Sequence, residues 1–341
     1  MSIAILMLMH NLILIVTLFI SSAFAAPRNY KVTVFAEPGA EARAREFSEK
    51  LISLEPFKQL SEKGIFLINT EPLPAPKTNC KGGYYGIPRL AQCKTSTIKR
   101  ACKGSDLCPI FTSVPFIGAG GDPYPISSST FPWTTMLHEF IHTFGFSDEY
   151  AYTDKETPTY CGSLMNNPNE IQLPKAQLYQ SKSEAEEACV KLIPWCEEAL
   201  RQGSEVVSAT QGGYKIGSPE PASCPNNNLG VYLGAGCMKA KPDSTFRPYF
   251  CPTVMGFPTI GQDNCEVQER HDIIVNSPNL IPTYYQRVLF EKIVSKSRVQ
   301  GVEFIPREVK LPVTHIYGLP EVDGLILSPE EIKNKCSKNP R

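Results

Sequence analysis

The order of apolar and polar residues predicts a strand, a helix and a second strand in the first part of the chain. Residues 30–36 alternate between apolar and polar side chains and are rich in residues that favour β structure. Residues 40–60 carry apolar side chains at helical spacing, and residues 65–68 form a short apolar run. This order predicts a βαβ unit whose two strands are parallel.

The middle of the chain contains another predicted strand, followed by a helix. Residues 110–117 are apolar and lead into a run of glycines. A strand that ends in glycines can leave its edge open to an extended peptide. The alternative is that this segment is an ordinary loop. The polar residues 128–134 include Pro132 at a position suited to a first helical turn, and they predict the start of a helix.

Apolar residues at helical spacing predict further helices in the second half of the chain. These lie at residues 183–201, 263–276 and 281–296. The first of them is expected to break at Pro194. Segments rich in glycine, proline, serine and asparagine predict loops at residues 153–174 and irregular structure at residues 203–229. Short runs of valine and isoleucine between prolines predict a small β-rich extension at residues 299–341.

Composition changes this picture in one respect, the expected partners. The chain has 341 residues, of which 42% are hydrophobic, enough for one large core or two modest ones. The 34 Lys and Arg residues balance the 34 Asp and Glu residues. Because a balanced chain has no excess positive charge to offer a phosphate backbone, nucleic acid is not an expected partner.

The first 25 residues are apolar and end in Ala23-x-Ala25, a small-x-small cleavage signature. They predict a signal peptide over residues 1–25 and a secreted protein, extracellular or periplasmic, with no stable membrane association. Because no Lys or Arg precedes the apolar run, an uncleaved membrane anchor is the alternative. Residues 27–296 are expected to form the main domain, and residues 297–341 a short C-terminal extension.

All 12 cysteines follow this leader. An even number of cysteines in an exported chain predicts disulfides. A second metal site is the alternative, although no Cys-x-x-Cys pair occurs. Close spacing predicts three local groups of cysteines. These are Cys93 with Cys102 and Cys108, Cys189 with Cys196, and Cys251 with Cys265.

The most specific motif is His-Glu-x-x-His, formed by His138, Glu139 and His142. Residues i and i+4 of a helix share one face, so the two histidines can direct two ring nitrogens at one ion. Catalytic zinc sites use three protein ligands and keep a fourth position open. The motif therefore predicts a Zn2+ site, and its apolar neighbours argue against a solvated surface helix. Two other histidines, His271 and His315, are not expected to bind the metal.

Two acidic residues compete for the position of third ligand. Gly145 predicts the end of the helix, because glycine adopts the left-handed conformation at little cost. The chain can then turn back and bring Asp148 under the same ion. Glu149 is the alternative ligand, or an outer residue that orients a histidine. Tyr150 is expected to pack beneath the site, with stabilisation of an oxyanion as its alternative role.

These residues resemble the zinc-binding core of the IgA-peptidase-type zinc metallopeptidases, which are metzincin-like. The match covers the His-Glu-x-x-His-x-x-Gly-x-x-Asp-Glu-Tyr pattern of residues 138–150 and a glycine-rich segment, residues 233–255, that leads through an Arg-Pro pair to a methionine. The resemblance implies an α+β fold, namely a metzincin-like zinc protease domain with a twisted mixed β-sheet, a zinc-site helix and a Met-turn. The disulfide-stapled insertions that the cysteines predict depart from the pattern of that family. The resemblance also implies Asp148 as third ligand. It does not imply IgA as the substrate.

Metzincins place a methionine in a tight turn beneath the zinc ligands, and three methionines follow the motif here. Met255 is favoured, because a glycine follows it and a helical pattern comes soon after. Met165 also has a turn-like setting, and Met238 is the third candidate. Filling a gap in the core is the alternative use of each.

The resemblance and the chemistry of the residues together predict a zinc metalloendopeptidase that acts on a protein or peptide. Zinc held by His138, His142 and Asp148 would polarise a water molecule and the scissile carbonyl group. Glu139 would take the proton from that water and deliver it to the leaving amine. The alternatives are an exported binding or adhesion module with a structural zinc site, which has no need of Glu139, and a non-proteolytic amidohydrolase.

Overall fold

The structure is a computed structural model, and it describes most of the chain between residues 26 and 307. The described segments are residues 26–75, 78–83, 91–114, 118–119, 124–150, 152, 154, 156–161, 165–220, 228–234, 236–238, 240–241, 243–250, 253–256 and 281–307. The predicted signal peptide, the helix predicted at residues 263–276, His271, His315 and most of the C-terminal extension lie outside them.

The described residues form helices and short strands in a mixed α+β arrangement with several sheets. The helices are α1 (Glu41–Ser53), α2 (Phe57–Glu62), α3 (Thr95–Ala101), α4 (Trp133–His142), α5 (Thr157–Tyr160), α6 (Lys182–Leu192), α7 (Cys196–Arg201) and α8 (Thr283–Ser297). The strands are β1 (Tyr30–Val32), β2 (Phe35–Ala36), β3 (Phe66–Ile68), β4 (Leu73–Pro74), β5 (Lys81–Gly82), β6 (Ala91–Gln92), β7 (Ile110–Thr112), β8 (Gly118–Ala119), β9 (Ile126–Ser128), β10 (Asn166–Asn167), β11 (Glu170–Gln172), β12 (Val207–Thr210), β13 (Gly213–Ile216), β14 (Tyr232–Leu233) and β15 (Thr245–Arg247). A 3-10 turn covers Val254–Gly256.

The predicted βαβ unit is confirmed, although both its first strand and its helix are divided. Strand β1 pairs in parallel with β3, with Tyr30 opposite Phe66. The strand predicted at residues 30–36 continues as β2, which joins a different sheet. The helix predicted at residues 40–60 is split into α1 and α2 at Pro56, which cannot donate a helical hydrogen bond.

The largest sheet is mixed and has the strand order β4-β2-β7-β9-β8. Its first four strands are parallel, and the edge strand β8 runs antiparallel to β9. Strand β8 also lies against helix α4. The strand predicted at residues 110–117 is present as β7, and residues 115–117 lie outside the described part of the chain.

The polar residues 128–134, which are expected to begin helix α4, instead start inside strand β9. Ser127 and Ser128 are fully buried in β9, between β7 and β8. The hydroxyl group of Ser128 lies 2.8 Å from that of Thr130, so it is satisfied without solvent. Pro132 stands just before the first helical residue and not inside the first turn. Ser127 and Ser128 are buried but polar, so the pattern of apolar residues does not show them as part of a strand. This is why the sequence analysis missed β9.

Two hairpins lie in segments predicted to be irregular or loop-rich. Strands β12 and β13 pair antiparallel within residues 203–229, so the prediction for this segment was wrong. Their turn contains Gly212 and Gly213, with φ values of 110° and 145°, which favour glycine. Strands β10 and β11 form the second hairpin, within residues 153–174. Both hairpins have short strands, which carry little periodic signal.

The helix predicted at residues 183–201 is confirmed as α6 and α7, with a break at Ile193 and Pro194. The Ser181 hydroxyl group accepts a hydrogen bond from the backbone N–H of Glu184 and caps α6. The buried face of α6 carries Ala185 and Cys189. Two other apolar residues of α6, Val190 and Leu192, are 41% and 42% exposed, so they lie outside the core.

Four disulfides join the eight cysteines of the described residues. They are Cys80–Cys93, Cys102–Cys108, Cys161–Cys237 and Cys189–Cys196. The grouping of Cys102 with Cys108 and of Cys189 with Cys196 is confirmed, whereas Cys93 pairs with Cys80 outside its predicted group. Cys251 and Cys265 lie outside the described residues. Disulfides are typical of oxidising compartments.

The helix predicted at residues 281–296 is confirmed as α8, and the chain beyond it lies across α2. Gln59 and Ile305 exchange two hydrogen bonds, of 3.1 Å and 3.3 Å. The guanidinium group of Arg307 lies 3.3 Å from the carboxylate of Glu55. No strand occurs between Arg298 and Arg307, so this described part of the extension is not β-rich. No helix in the described residues is long and apolar enough to cross a membrane.

Helix α4 lies in the centre of the main hydrophobic core. The Phe140 ring packs on Phe47, Phe57 and Phe144, with ring centroids 5.8 Å, 5.7 Å and 5.5 Å away. Its fully buried apolar residues are Trp133, Met136, Leu137, Phe140 and Ile141. Because apolar side chains cover most of the helix, the polar residues Thr135, His138 and Glu139 are buried with it.

Replacing Phe140 with alanine should remove the contact that joins α4 to α1 and α2. We expect the free energy of unfolding to fall by about 3–5 kcal/mol, the usual cost of deleting a buried aromatic side chain. Denaturant titration followed by circular dichroism measures this change. Leu192→Ala, at a position 42% exposed, is the control and should cost less than about 0.5 kcal/mol. Equal effects of the two substitutions would contradict a central position for Phe140.

Candidate metal centre

Helix α4 and the segment after it bring together three atoms of the kinds that bind metals. The Nε2 atoms of His138 and His142 lie 3.0 Å apart. The Oδ1 atom of Asp148 lies 2.9 Å from the first and 3.1 Å from the second. The three side chains are 8%, 19% and 11% exposed, respectively. The histidine at the end of the helix is therefore the most open to solvent.

The other ring nitrogen of each histidine is held by the backbone. The Nδ1 atom of His138 lies 2.8 Å from the carbonyl oxygen of Val254, and that of His142 lies 2.8 Å from the carbonyl oxygen of Phe146. Because a carbonyl oxygen only accepts, each Nδ1 must be the donor. In a neutral imidazole this leaves Nε2 without a proton. Both free lone pairs then point toward Asp148, as they do in histidines that bind metals.

The three facing atoms of this group need a positive charge between them. The Oδ1 atom of Asp148 is fully buried and receives no well-directed hydrogen bond. Two unprotonated nitrogens and a carboxylate oxygen repel one another unless a cation or protons lie between them. His138, His142 and Asp148 form the group of His, Cys, Asp and Glu residues in the described part of the chain that could hold a metal ion. Two nitrogens and one oxygen suit a divalent transition metal, Zn2+ among others.

Without a metal, protons take the place of the cation. Burial lowers the pKa of His142, but the charge and hydrogen bond of Asp148 outweigh burial and raise it to about 9. Burial raises the pKa of Asp148, but the two histidines hold it well below its ordinary value of 3.8. The metal-free centre is therefore an imidazolium–carboxylate pair. A metal must displace that proton in order to bind.

The segment that carries Asp148 is held along its whole length. Gly145 has φ of 80° and ends the helix as predicted. The side chain of Asn169 accepts a hydrogen bond from the N–H of Ser147 and donates one to its carbonyl oxygen, both of 2.7 Å. The N–H of Gly236 donates to the carbonyl oxygen of Asp148 at 3.0 Å. The acidic side chain is thus delivered to the histidines by a rigid turn.

Glu149, the alternative ligand, is directed away from the histidines. One carboxylate oxygen accepts hydrogen bonds from Asn169, at 3.0 Å, and from the Tyr285 hydroxyl group. The other accepts from the Thr253 hydroxyl group at 2.7 Å. Burial raises the pKa of Glu149 to about 7, despite these donors. With both oxygens occupied, this residue ties the turn before Met255 to helix α8, and the geometry favours Asp148 as the ligand.

The turn at Val254–Gly256 lies directly against helix α4. Met255 is fully buried, and its carbonyl oxygen accepts a hydrogen bond of 2.9 Å from the N–H of Glu149. The neighbouring carbonyl of Val254 holds His138. Met165 instead lies beside the β10–β11 hairpin, and Met238 is 36% exposed. Of the three candidates, Met255 lies in a turn against helix α4, and its role as a Met-turn stays a prediction.

Two further predicted residues lie beside the centre. The Tyr150 ring stacks on the His138 ring, with centroids 6.1 Å apart and planes 25° from parallel. This is the packing role that we expect. Glu139 is 7% exposed, and its negative charge adds to the effect of Asp148 in raising the pKa of His142.

Sequence reasoning missed most of the residues that support the centre. They are Asn169, Thr253 and Tyr285 around Glu149, and Gly236 beside Asp148. Only Gly236 had a signal, since it lies in the glycine-rich segment of the family resemblance. The other three come from separate parts of the chain, and no local spacing connects them to the motif.

Comparison of the sequence with protein-family models gives no match, and comparison with curated proteins gives no significant match. The resemblance to IgA-peptidase-type metallopeptidases therefore stays an expectation that rests on the zinc motif and on the segment leading to Met255. The geometry of the metal centre is independent of that resemblance.

A matched pair of amide substitutions separates the two acidic candidates. Asp148→Asn should weaken Zn2+ binding by at least about 100-fold, because the centre loses its anionic ligand. Glu149→Gln should weaken it by no more than about tenfold, because this side chain only supports the turn. Competition with a chelating dye measures both affinities, and circular dichroism checks folding. Loss of Zn2+ in Glu149→Gln with retention in Asp148→Asn would reverse the assignment.

The stability of the metal-free protein should fall as the pH rises above neutrality. The pKa of His142 is about 9 in the folded protein against an ordinary 6.5, so the folded state binds this proton more tightly than the unfolded state. The stabilisation is complete below about pH 6.5 and is lost as the pH rises through about 9. Thermal melting across this interval measures the loss. His142→Gln should flatten the profile, and a wild-type melting temperature that rises with pH here would contradict the pairing.

Proposed function

We propose that the chain is a secreted zinc metalloendopeptidase with a metzincin-like catalytic domain. The observation that carries the proposal is the convergence of two imidazole Nε2 atoms and one buried carboxylate oxygen beside Glu139. His138, His142 and Asp148 would hold the ion, and three protein ligands are what a catalytic zinc site requires. A purely structural site would be closed by a fourth protein ligand, and no other His, Cys, Asp or Glu of the described residues joins this group.

Bound Zn2+ supplies a Lewis acid that activates water and a carbonyl group. Glu139 is on the same helix as both histidines and close enough to affect the pKa of His142. Its carboxylate is suited to take a proton from water and to deliver it to the leaving amine. The carbonyl groups of Val254 and Phe146 keep the Nδ1 protons in place, so that both Nε2 atoms remain available to the ion.

The sheet supports a peptide as the substrate. Strand β8 lies at the edge of the five-stranded sheet and against helix α4. An extended peptide can add to such an edge through backbone hydrogen bonds. The scissile bond would then pass close to the ligands carried by α4. This arrangement favours peptide hydrolysis over an amidohydrolase that acts on a small substrate.

Secretion is supported by the apolar leader at residues 1–25 and by the four disulfides. Such bonds persist in oxidising compartments and are rare in reducing ones. An enzyme that depends on them would act outside the cytosol. The Cys161–Cys237 disulfide is connected to the metal centre through the chain. Cys237 directly follows Gly236, whose N–H donates to the carbonyl oxygen of Asp148.

Glu139→Gln is the substitution that tests the proposal. It keeps the size of the side chain and removes the base, so the variant should bind Zn2+ as the wild type does. Its rate of peptide hydrolysis should fall by about 100- to 10,000-fold, the usual contribution of a general base. A peptide library incubated with wild type and variant, and analysed by mass spectrometry, measures cleavage. The wild type treated with a chelator is the second control.

Equal cleavage by Glu139→Gln and wild type would rule out this mechanism. If the wild type binds Zn2+ tightly but cleaves no peptide in the library, the site is better described as the structural zinc site of a binding module. Removal of the metal would then lower the melting temperature with no catalytic consequence.

A further inference from the structure

The carbonyl group that orients His138 belongs to Val254, the first residue of the 3-10 turn Val254–Gly256. The Nδ1 atom of His138 lies 2.8 Å from that carbonyl oxygen, although the two residues are 116 positions apart in the chain. Because no local sequence connects them, the contact depends on what holds the turn against helix α4.

Thr253, which directly precedes this turn, is fully buried. Its hydroxyl group donates a hydrogen bond of 2.7 Å to the carboxylate of Glu149 and accepts one of 3.1 Å from the N–H of Met255. A hydroxyl group has one proton to donate and lone pairs that accept, so both bonds form at once. Thr253 therefore joins the Glu149 side chain to the backbone on the far side of Val254.

A third hydrogen bond completes the arrangement around Val254. The N–H of Glu149 donates to the carbonyl oxygen of Met255 at 2.9 Å. The residues on both sides of Val254 are thus tied to one acidic residue, which is itself held by the Asn169 side chain at 3.0 Å. The carbonyl group between them has little freedom to turn away from His138.

We propose that Thr253 is a positioning residue of the metal centre, whose hydroxyl group fixes the turn from which the Val254 carbonyl holds the Nδ1 proton of His138. The inference rests on metal binding by this centre, as proposed above. Outer partners of a metal-binding histidine fix its tautomer and ring orientation, and their loss typically lowers metal affinity by about 10- to 100-fold. The Val254 carbonyl is a backbone group that no substitution removes, whereas the hydroxyl group that positions it can be removed.

Two substitutions isolate the hydroxyl group of Thr253. Thr253→Val keeps the branched shape of the side chain, but it takes this acceptor from the N–H of Met255 and this donor from the Glu149 carboxylate. Thr253→Ser removes only the methyl group and keeps both hydrogen bonds. A positioning role therefore predicts that the first variant loses metal affinity and that the second retains it.

Thr112→Val is the matched control, because Thr112 has the same local arrangement at a different place in the fold. It is also fully buried, its hydroxyl group donates to the carboxylate of Glu37, and it accepts from the N–H of Val114, two residues further on, at 3.2 Å. Thr112 ends strand β7 in the five-stranded sheet. This variant measures what loss of such a hydroxyl group does to the protein without changing the turn beside His138.

The three variants and the wild type are titrated with Zn2+ in competition with a chelating dye, after circular dichroism has checked their folding. The visible absorption spectrum of each is recorded with Co2+ to report the ligand geometry. We expect Thr253→Val to bind Zn2+ about tenfold more weakly than the wild type, because the carbonyl group is displaced and not removed. Its Co2+ spectrum should shift, while Thr253→Ser and Thr112→Val should match the wild type in both measurements.

Wild-type affinity and spectrum in Thr253→Val would show that the inference is wrong, and so would an equal loss of affinity in Thr112→Val. If Thr253→Val does not fold, Thr253→Ala takes its place, since it differs from Thr253→Ser by the hydroxyl group alone. Equal affinities of the alanine and serine variants would then overturn the inference.

These outcomes are distinct from failure of the peptidase proposal. A wild type that binds Zn2+ but cleaves no peptide leaves the role of Thr253 intact. An active wild type with an unaffected Thr253→Val leaves only the peptidase. A wild type with no measurable affinity for Zn2+ would overturn both.

Discussion

The structure around helix α4 depends on one constraint, the burial of two imidazoles and a carboxylate whose ligand atoms face one another. Such a group is unstable in an apolar core unless a cation or protons lie between its members. His138, His142 and Asp148 are brought within 3.1 Å of one another nonetheless. So close an approach of three polar atoms persists only where surrounding contacts hold each side chain in place.

A backbone group takes part in each of these contacts, and Val254, Gly236 and Asn169 reach the site from distant parts of the sequence. The carbonyls of Val254 and Phe146 fix the two imidazole rings. Gly236 and Asn169 hold the segment that carries Asp148. Because backbone groups move less than long side chains, this support fixes the distance between ligand atoms before any ion arrives. An ion then meets a preformed site and pays little for ordering it, which favours tight binding.

The same geometry links the pKa of His142 to metal binding. With protons in place of a metal, His142 and Asp148 form an ion pair with a raised imidazole pKa of about 9. Binding of a divalent ion must release that proton, so affinity should increase with pH. Glu139 carries a carboxylate next to this centre without belonging to the group of ligand atoms. A carboxylate beside the two histidines is what the proposed peptidase mechanism requires.

Local patterns in the sequence were sufficient for some features and not for others. The spacing of His138 and His142 and the glycine at position 145 determine a helix with two ligands on one face and a defined end, because both depend on neighbours within a few residues. The βαβ unit and helix α8 were predictable for the same reason. Strand β9 and the β12–β13 hairpin were not, since buried serines and short glycine-linked strands have weak periodicity. The different surroundings of Asp148 and Glu149, the position of Met255, the pairing of Cys161 with Cys237 and the support from Asn169 and Gly236 were decided only by the tertiary structure. Each of these joins residues far apart in the chain, and their distances exist only once the core around Phe140 has formed.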